Sequence, residues 1–223
     1  MPVRFIPLVN GEYYHIYNRG SGRQPVFLNK IDYQRFILTL SYYRFLDPKI
    51  KLSRLSILPN VKRKAFIENL ESNGKKQIEI LSYVLMPNHF HFLLKQINQN
   101  GISNFMRLAI NSWSHYFNKK YNRPGSLFQG AFKAVHIESE EQLIHLSRYI
   151  HLNPLVSHVV REKDFLSYPW SSLSDYLQGK SQLVELESIL SLFKSPQDYK
   201  KFITDHIGYA RELQKIKHLI LDQ

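Results

Sequence analysis

The chain has 223 residues, 43% of them hydrophobic and 22% charged, so it holds enough apolar material for a real core of one domain plus an appendage. It contains no cysteine, which excludes disulfides, thiolate zinc sites and a cysteine nucleophile. The net charge of +12 is carried entirely by residues 1–160, with 21 basic and nine acidic side chains, whereas residues 161–223 hold nine of each. Basic charge of that density attracts phosphate backbones and points to a nucleic-acid partner.

In chain order, Glu12 to Asn18 (EYYHIYN) is β-prone, and Arg19-Gly20-Ser21-Gly22 breaks the strand. Ile31, Phe36, Ile37, Leu40 and Tyr43 recur at near-helical spacing, which predicts a helix over 30–46. Residues 47–78 are rich in Lys and Arg and broken by Pro48, Pro59 and Gly74, so they read as a basic insertion with a short helix at Ala65 to Leu70. Two strands follow, IEILSYVLM and HFHFLLK, joined by the turn chemistry of Pro87-Asn88. An amphipathic helix over 102–121 comes next, then a strand over 132–137. Ser139 with Gln142 three residues on is a capping-box pattern. It starts a helix expected to end near Leu152, before Pro154.

The order β-α-β-β-α-β is that of a ferredoxin-like α+β fold with an antiparallel sheet. The neutral stretch 161–223 reads as a mostly helical C-terminal appendage. No segment approaches the roughly 18 apolar residues of a membrane span, and the first 20 residues lack signal-peptide character. A cytoplasmic protein is expected.

Two constellations could carry chemistry. His89 and His91 are two apart on a strand, so both imidazoles share one face while Phe90, Phe92 and Leu94 take the other. Such a pair is half of a divalent metal site, though two strand histidines that hydrogen-bond to neighbours would look the same. Tyr149 and Asn153 are four apart on a helix and share a face. A phenol is a weak nucleophile without help, and an Asn oxygen beside it could serve a metal; a packed tyrosine with a polar helix end would again look alike.

Met86-Pro87-Asn88-His89-Phe90-His91-Phe92-Leu93-Leu94, then Leu127-Phe128-Gln129-Gly130, then Arg148-Tyr149-Ile150-His151-Leu152-Asn153-Pro154, together resemble the single-tyrosine HUH transposases. The REP-associated tyrosine transposases and their insertion-sequence relatives are the most similar, and Tyr14 to Gly20 resembles the opening of many members. The resemblance spans about residues 10–175. It implies a catalytic domain over 1–160 in which His89, His91 and Asn153 hold Mg²⁺ or Mn²⁺. It further implies that Tyr149 attacks single-stranded DNA at hairpin-flanked sites to give a 5′-phosphotyrosine. Monomers and helix-exchanged homodimers both occur among such proteins.

Arg19, Lys133 and Arg148 are candidate phosphate contacts, and His145 a candidate proton carrier. His151 lies about 200° around the helix from Tyr149, outside the expected site. Tyr116 and Tyr121 lack an Asn four residues on and are set aside as nucleophiles. Two other functions fit parts of the pattern: a catalytically silent regulator that binds DNA hairpins, and a metal-dependent phosphoesterase of another class. Acidic residues are absent between Glu79 and Glu138, which fits a two-metal nuclease poorly.

Overall fold

The structure is a computed structural model that describes residues 7–208. The expectations for residues 1–6, and for the charges at Arg211, Glu212, Lys215, Lys217 and Asp222, lie outside the described residues.

Among the described residues, four strands form one sheet: β1 (Tyr13–Arg19), β2 (Ile78–Met86), β3 (His89–Gln96) and β4 (Lys133–Ile137). Their spatial order is β2-β3-β1-β4 and every neighbouring pair is antiparallel. With helices α1 (Lys30–Tyr43) and α4 (Gly101–Lys120) as the crossovers, this is the expected ferredoxin-like arrangement.

Alternation along the strands gives the sheet two different faces. Phe90 and Phe92 project toward α1 and α4, where the Phe36 ring lies 6.0 and 6.4 Å from theirs and 5.3 Å from Trp113. A buried carboxylate joins these two helices. Asp32 accepts from Lys120 Nζ at 2.6 Å and from Tyr121 Oη at 2.8 Å. The other face carries the histidines and is covered by α5 (Glu140–Val156), which packs against β2. With both faces covered, β2 is buried at every position but Glu79.

Two boundaries differ from expectation. Helix α5 does not stop before Pro154 but runs through it to Val156. The proline costs the Ile150 carbonyl its usual donor. The turn nevertheless persists because Asn153, Pro154 and Leu155 are all buried, and Ser157 N–H donates to Asn153 O at 2.9 Å. The basic insertion is also more helical than its breakers suggest. It holds α2 (Leu52–Leu55) and a 14-residue α3 (Asn60–Asn73). Pro59 sits just ahead of α3 and Gly74 just after it, so these residues bound the helix rather than interrupt it. The capping signal at the start of α5 is realised: Ser139 Oγ accepts from Gln142 N–H, and Gln142 Oε1 accepts from Glu138 N–H.

Residues 161–208 are mostly helical, with α6 (Leu173–Gln178), α7 (Glu187–Leu190) and α8 (Pro196–Thr204). They share the core of the sheet: Tyr176 and Tyr199 are fully buried within it. They also cover the outer edge of β2. Leu85 N–H donates to Trp170 O, Ser172 N–H to Tyr83 O and Glu185 N–H to Ile80 O, at 2.8, 3.0 and 2.8 Å, which protects an edge strand from foreign pairing. No helix among the described residues is long and apolar enough to cross a membrane.

His151 ties α5 to this C-terminal part. It is fully buried, with Nδ1 at 2.7 Å from Tyr199 Oη and Nε2 at 2.8 Å from Ser172 Oγ. One proton order satisfies the whole chain of groups: Tyr83 N–H to Ser172 Oγ, Ser172 O–H to His151 Nε2, His151 Nδ1–H to Tyr199 Oη, and Tyr199 O–H to Ser147 Oγ. Burial holds the imidazole neutral, with its pKa lowered to about 3. A folded pKa below the unfolded value of 6.5 means that this stability is present above pH 6.5 and is lost as pH falls toward 3. Between pH 7 and 4.5 the loss from this group is about 2–3 kcal/mol. Urea unfolding at the two pH values should show a drop that is smaller in His151→Gln by about that amount. An equal drop in both proteins would assign the acid sensitivity elsewhere.

Candidate active site

The cleft between the histidine face of the sheet and α5 has a volume of about 470 Å³ and is lined by His89, His91, Tyr149, Asn153, Tyr17 and Arg19, among others. Strand register assembles its floor. Tyr17 stands opposite His91, and Arg19 opposite His89, across the β1–β3 ladder. Helix α5 provides the roof. Tyr149 and Asn153, one turn apart, both face the histidines. The Tyr149 ring meets His91 edge-on with centroids 5.4 Å apart, and His15 at 6.1 Å. Tyr149 remains 40% exposed, so a substrate can reach it.

The polar contacts link these groups. Asn153 hydrogen-bonds to both His89 and Tyr149. Asn88 Nδ2 donates to Arg23 O at 3.2 Å, which sets its amide so that Oδ1 accepts from His89 Nδ1–H at 2.6 Å. His91 Nδ1 lies 2.9 Å from His15 Nε2. The Nδ1 of both rings is therefore engaged from outside the cleft, which makes Nε2 the nitrogen on which either would bind a ligand.

Electrostatics follow from burial. Desolvation lowers the His89 pKa to about 4, helped by the Arg19 charge and opposed by the Asn153 hydrogen bond. Burial alone lowers His15 to about 4. Both rings are neutral at pH 7 and keep a lone pair. Burial pushes the Tyr149 phenol up, the Asn153 bond and Arg19 pull it down, and Tyr17 pushes it up. The cleft lining holds Arg19 and Lys133 and no carboxylate, a field suited to phosphate.

Of the seven residues singled out in the sequence, six line this cleft: His89, His91, Tyr149, Asn153, Arg19 and Lys133. Arg148 does not. It is buried against α8, with its guanidinium 4.2 Å from the Phe202 ring centroid and Nη2 at 2.5 Å from His145 Nδ1. His145 is thereby turned away from the cleft as well. Tyr116 and Tyr121 belong to the opposite helix layer, the first beneath Arg35 and Lys120 and the second bonded to Asp32. A larger groove of about 1140 Å³ lies there, between α1, α2 and α4. It is basic but holds neither the histidine pair nor Tyr149.

The family model described as "Transposase IS200 like" matches residues 50–153. That span contains both histidines, Tyr149 and Asn153, and begins after β1. This segment is similar to the IS200-like transposases. A solved structure of a REP-associated tyrosine transposase bound to a REP hairpin is similar in fold, with a TM-score of 0.54 at 14% identity. The match covers 85% of this chain and 93% of that one. No curated protein sequence matches.

Sequence reading missed His15, Tyr17 and Asn88 as parts of the site. The first two sit at i and i+2 on β1, with Arg19 at i+4, a period-two signal for one face of a strand. What the pattern lacked was the register that sets them beside His91 and His89. The Arg19-Gly20 turn is tied to the other two motifs. Gly20 N–H donates to Asn88 O at 2.8 Å, and Gly20 pairs with Phe128. A Cβ on Gly20 would lie 2.1 Å from Gln24 O and 2.9 Å from Val26 Cγ1. Gly20→Ala should therefore cost about 1–3 kcal/mol, read as a lower urea midpoint. An unchanged midpoint would mean that the turn yields freely.

Proposed function

We propose that this protein is a metal-dependent transposase that cleaves and rejoins single-stranded DNA at hairpin-flanked sites through a 5′-phosphotyrosine on Tyr149. The observation that carries the reading is one cleft that brings together a substrate-accessible tyrosine, two imidazoles and an amide that bonds to His89 and to Tyr149. The hairpin in the solved relative of the same fold supports hairpin-bearing DNA as the substrate class.

The residues fit a divalent cation. Among the described residues no three His, Cys, Asp or Glu side chains cluster as a cation cage, so the donor set here is two imidazoles and an amide oxygen. His89 and His91 are held at Nδ1 by Asn88 and His15, the outer support that metal-binding histidines require. Two nitrogens and one oxygen, with positions left for water and phosphate, suit Mn²⁺ or Mg²⁺. Such a cation would polarise the scissile phosphate and offset charge gained in the transition state.

The chain's own groups perform the rest. Asn153 orients the Tyr149 hydroxyl. Arg19 and Lys133 hold the phosphates on either side by charge. Tyr149 Oη attacks phosphorus in line and gives up its proton. The bond from phosphorus to the 3′-oxygen breaks, and that oxygen takes a proton to leave as a free 3′-hydroxyl. The phosphodiester energy is kept in the tyrosine ester, so a 3′-hydroxyl of another strand can reverse the step. No nucleotide cofactor is needed, and the chain has no G-x-x-x-x-G-K-[ST] loop.

The test mixes the protein with labelled single strands that bear hairpins from its own genomic flanks, with Mn²⁺ or with EDTA. The expected result is a slow-migrating covalent band on a denaturing gel that needs the metal. Tight binding with no covalent band on any flank substrate would make the protein a hairpin-binding regulator instead.

A further inference from the structure

His15 meets both Tyr149 and His91. Its Nε2 is 2.9 Å from His91 Nδ1, and the two rings stack with centroids 5.1 Å apart. Tyr17 flanks both rings, 5.0 Å from His15 and 5.8 Å from His91. The imidazole of His15 is therefore fixed in plane and position by the β1 strand that carries it. With both rings uncharged, two proton arrangements fit the 2.9 Å contact. In one, His91 Nδ1–H donates to His15 Nε2, and His91 presents a bare Nε2. In the other, His15 Nε2–H donates to His91 Nδ1, and His91 Nε2 carries a proton and can bind no cation.

The partner histidine has no such choice. Asn88 Oδ1 can only accept, so His89 is held with its proton on Nδ1. For both rings to meet one cation through Nε2, both must carry their proton on Nδ1.

We propose that His15 is a positioning residue that locks His91 in the Nδ1–H tautomer, doing from β1 what Asn88 does for His89 from the hairpin turn. The inference rests on the reading of this cleft as a divalent cation site. His15 acts through His91 and does not itself meet the DNA. The same ring closes the floor beneath Tyr149, so the tautomer and the seat of the nucleophile are set by one side chain.

The test has two readouts. In the first, the protein is labelled with ¹⁵N-histidine, and long-range ¹H–¹⁵N spectra, assigned by single substitutions, report which nitrogen of His91 is protonated. The expected result is a protonated Nδ1 and a bare Nε2 in the unsubstituted protein. The same state should persist in His15→Gln, whose amide oxygen can still accept, and become a mixture in His15→Phe, which keeps a ring but no acceptor. The second readout is Mn²⁺ binding followed by electron paramagnetic resonance with no DNA present. His15→Phe should bind about 10–100-fold more weakly, with His15→Gln close to the unsubstituted protein. A protonated Nε2 on His91 in the unsubstituted protein, or an unmoved tautomer in His15→Phe, would overturn the proposal. The expected tautomers with no Mn²⁺ binding by any of the three proteins would support the lock and overturn the cation reading. Loss of fold in His15→Phe alone leaves the decision with the unsubstituted protein, whose His91 tautomer suffices.

Discussion

Tyr149→Phe should lower the yield of covalent protein–DNA product by at least about 1,000-fold, the scale on which removal of a nucleophile acts. Binding of the same DNA should change little, because the ring and its contacts to His91 and His15 are kept. The informative control is Tyr17→Phe. Tyr17 lines the same cleft and stacks on His91, so proximity alone does not separate the two phenols. The hydrogen bond does: Asn153 bonds to Tyr149, and Asn153 also bonds to His89. Tyr17→Phe should therefore keep product formation within about tenfold, or about 1.4 kcal/mol of barrier. If Tyr17→Phe abolished the product and Tyr149→Phe did not, the roles would be reversed. A gel of both variants beside the unsubstituted protein decides it.

His91→Ala should lower cleavage by about 100-fold or more at a fixed Mn²⁺ concentration, since loss of a ligand exceeds the 10–100-fold cost of losing a ligand's support. Part of that loss should return at higher Mn²⁺, because His89 and Asn153 remain. Hydrolysis of small phosphoesters by the unsubstituted protein, unaffected by Tyr149→Phe, would contradict the account and point to a metal-dependent phosphoesterase. Rates across a Mn²⁺ titration, with EDTA as the zero, carry the comparison. His89 and His15 are neutral at pH 7 because burial, not a nearby carboxylate, sets their state. No proton need leave His89 or His15 for a cation to bind at that pH.

The parts of this site that sequence shows are those set by local geometry. His89 and His91 share a face because strand side chains alternate, and Tyr149 and Asn153 share one because four residues make about one helical turn. The same arithmetic separates Arg148, which is 100° behind Tyr149 on α5, and there it lies beneath Phe202 rather than over the sheet. Register is a tertiary property, so nothing local could set His15 and Tyr17 beside His91. Burial is another. It carries α5 through Pro154. Helix α3 of the basic insertion has no buried residue and is tied down instead through Glu71, which bonds to Arg44, itself bonded to the carbonyls of Gln182 and Leu183.

The central claim is that one phenol in this cleft becomes bonded to DNA. It is tested most directly by digesting the covalent product with protease and nuclease and sequencing the nucleotide-bearing peptide by mass spectrometry. The account predicts a 5′-phosphate on the tyrosine of the peptide containing Arg148-Tyr149-Ile150, and a free 3′-hydroxyl on the released strand. A nucleotide on Tyr17 or on any other residue, or a 3′-phosphate on the protein-linked strand, would contradict it.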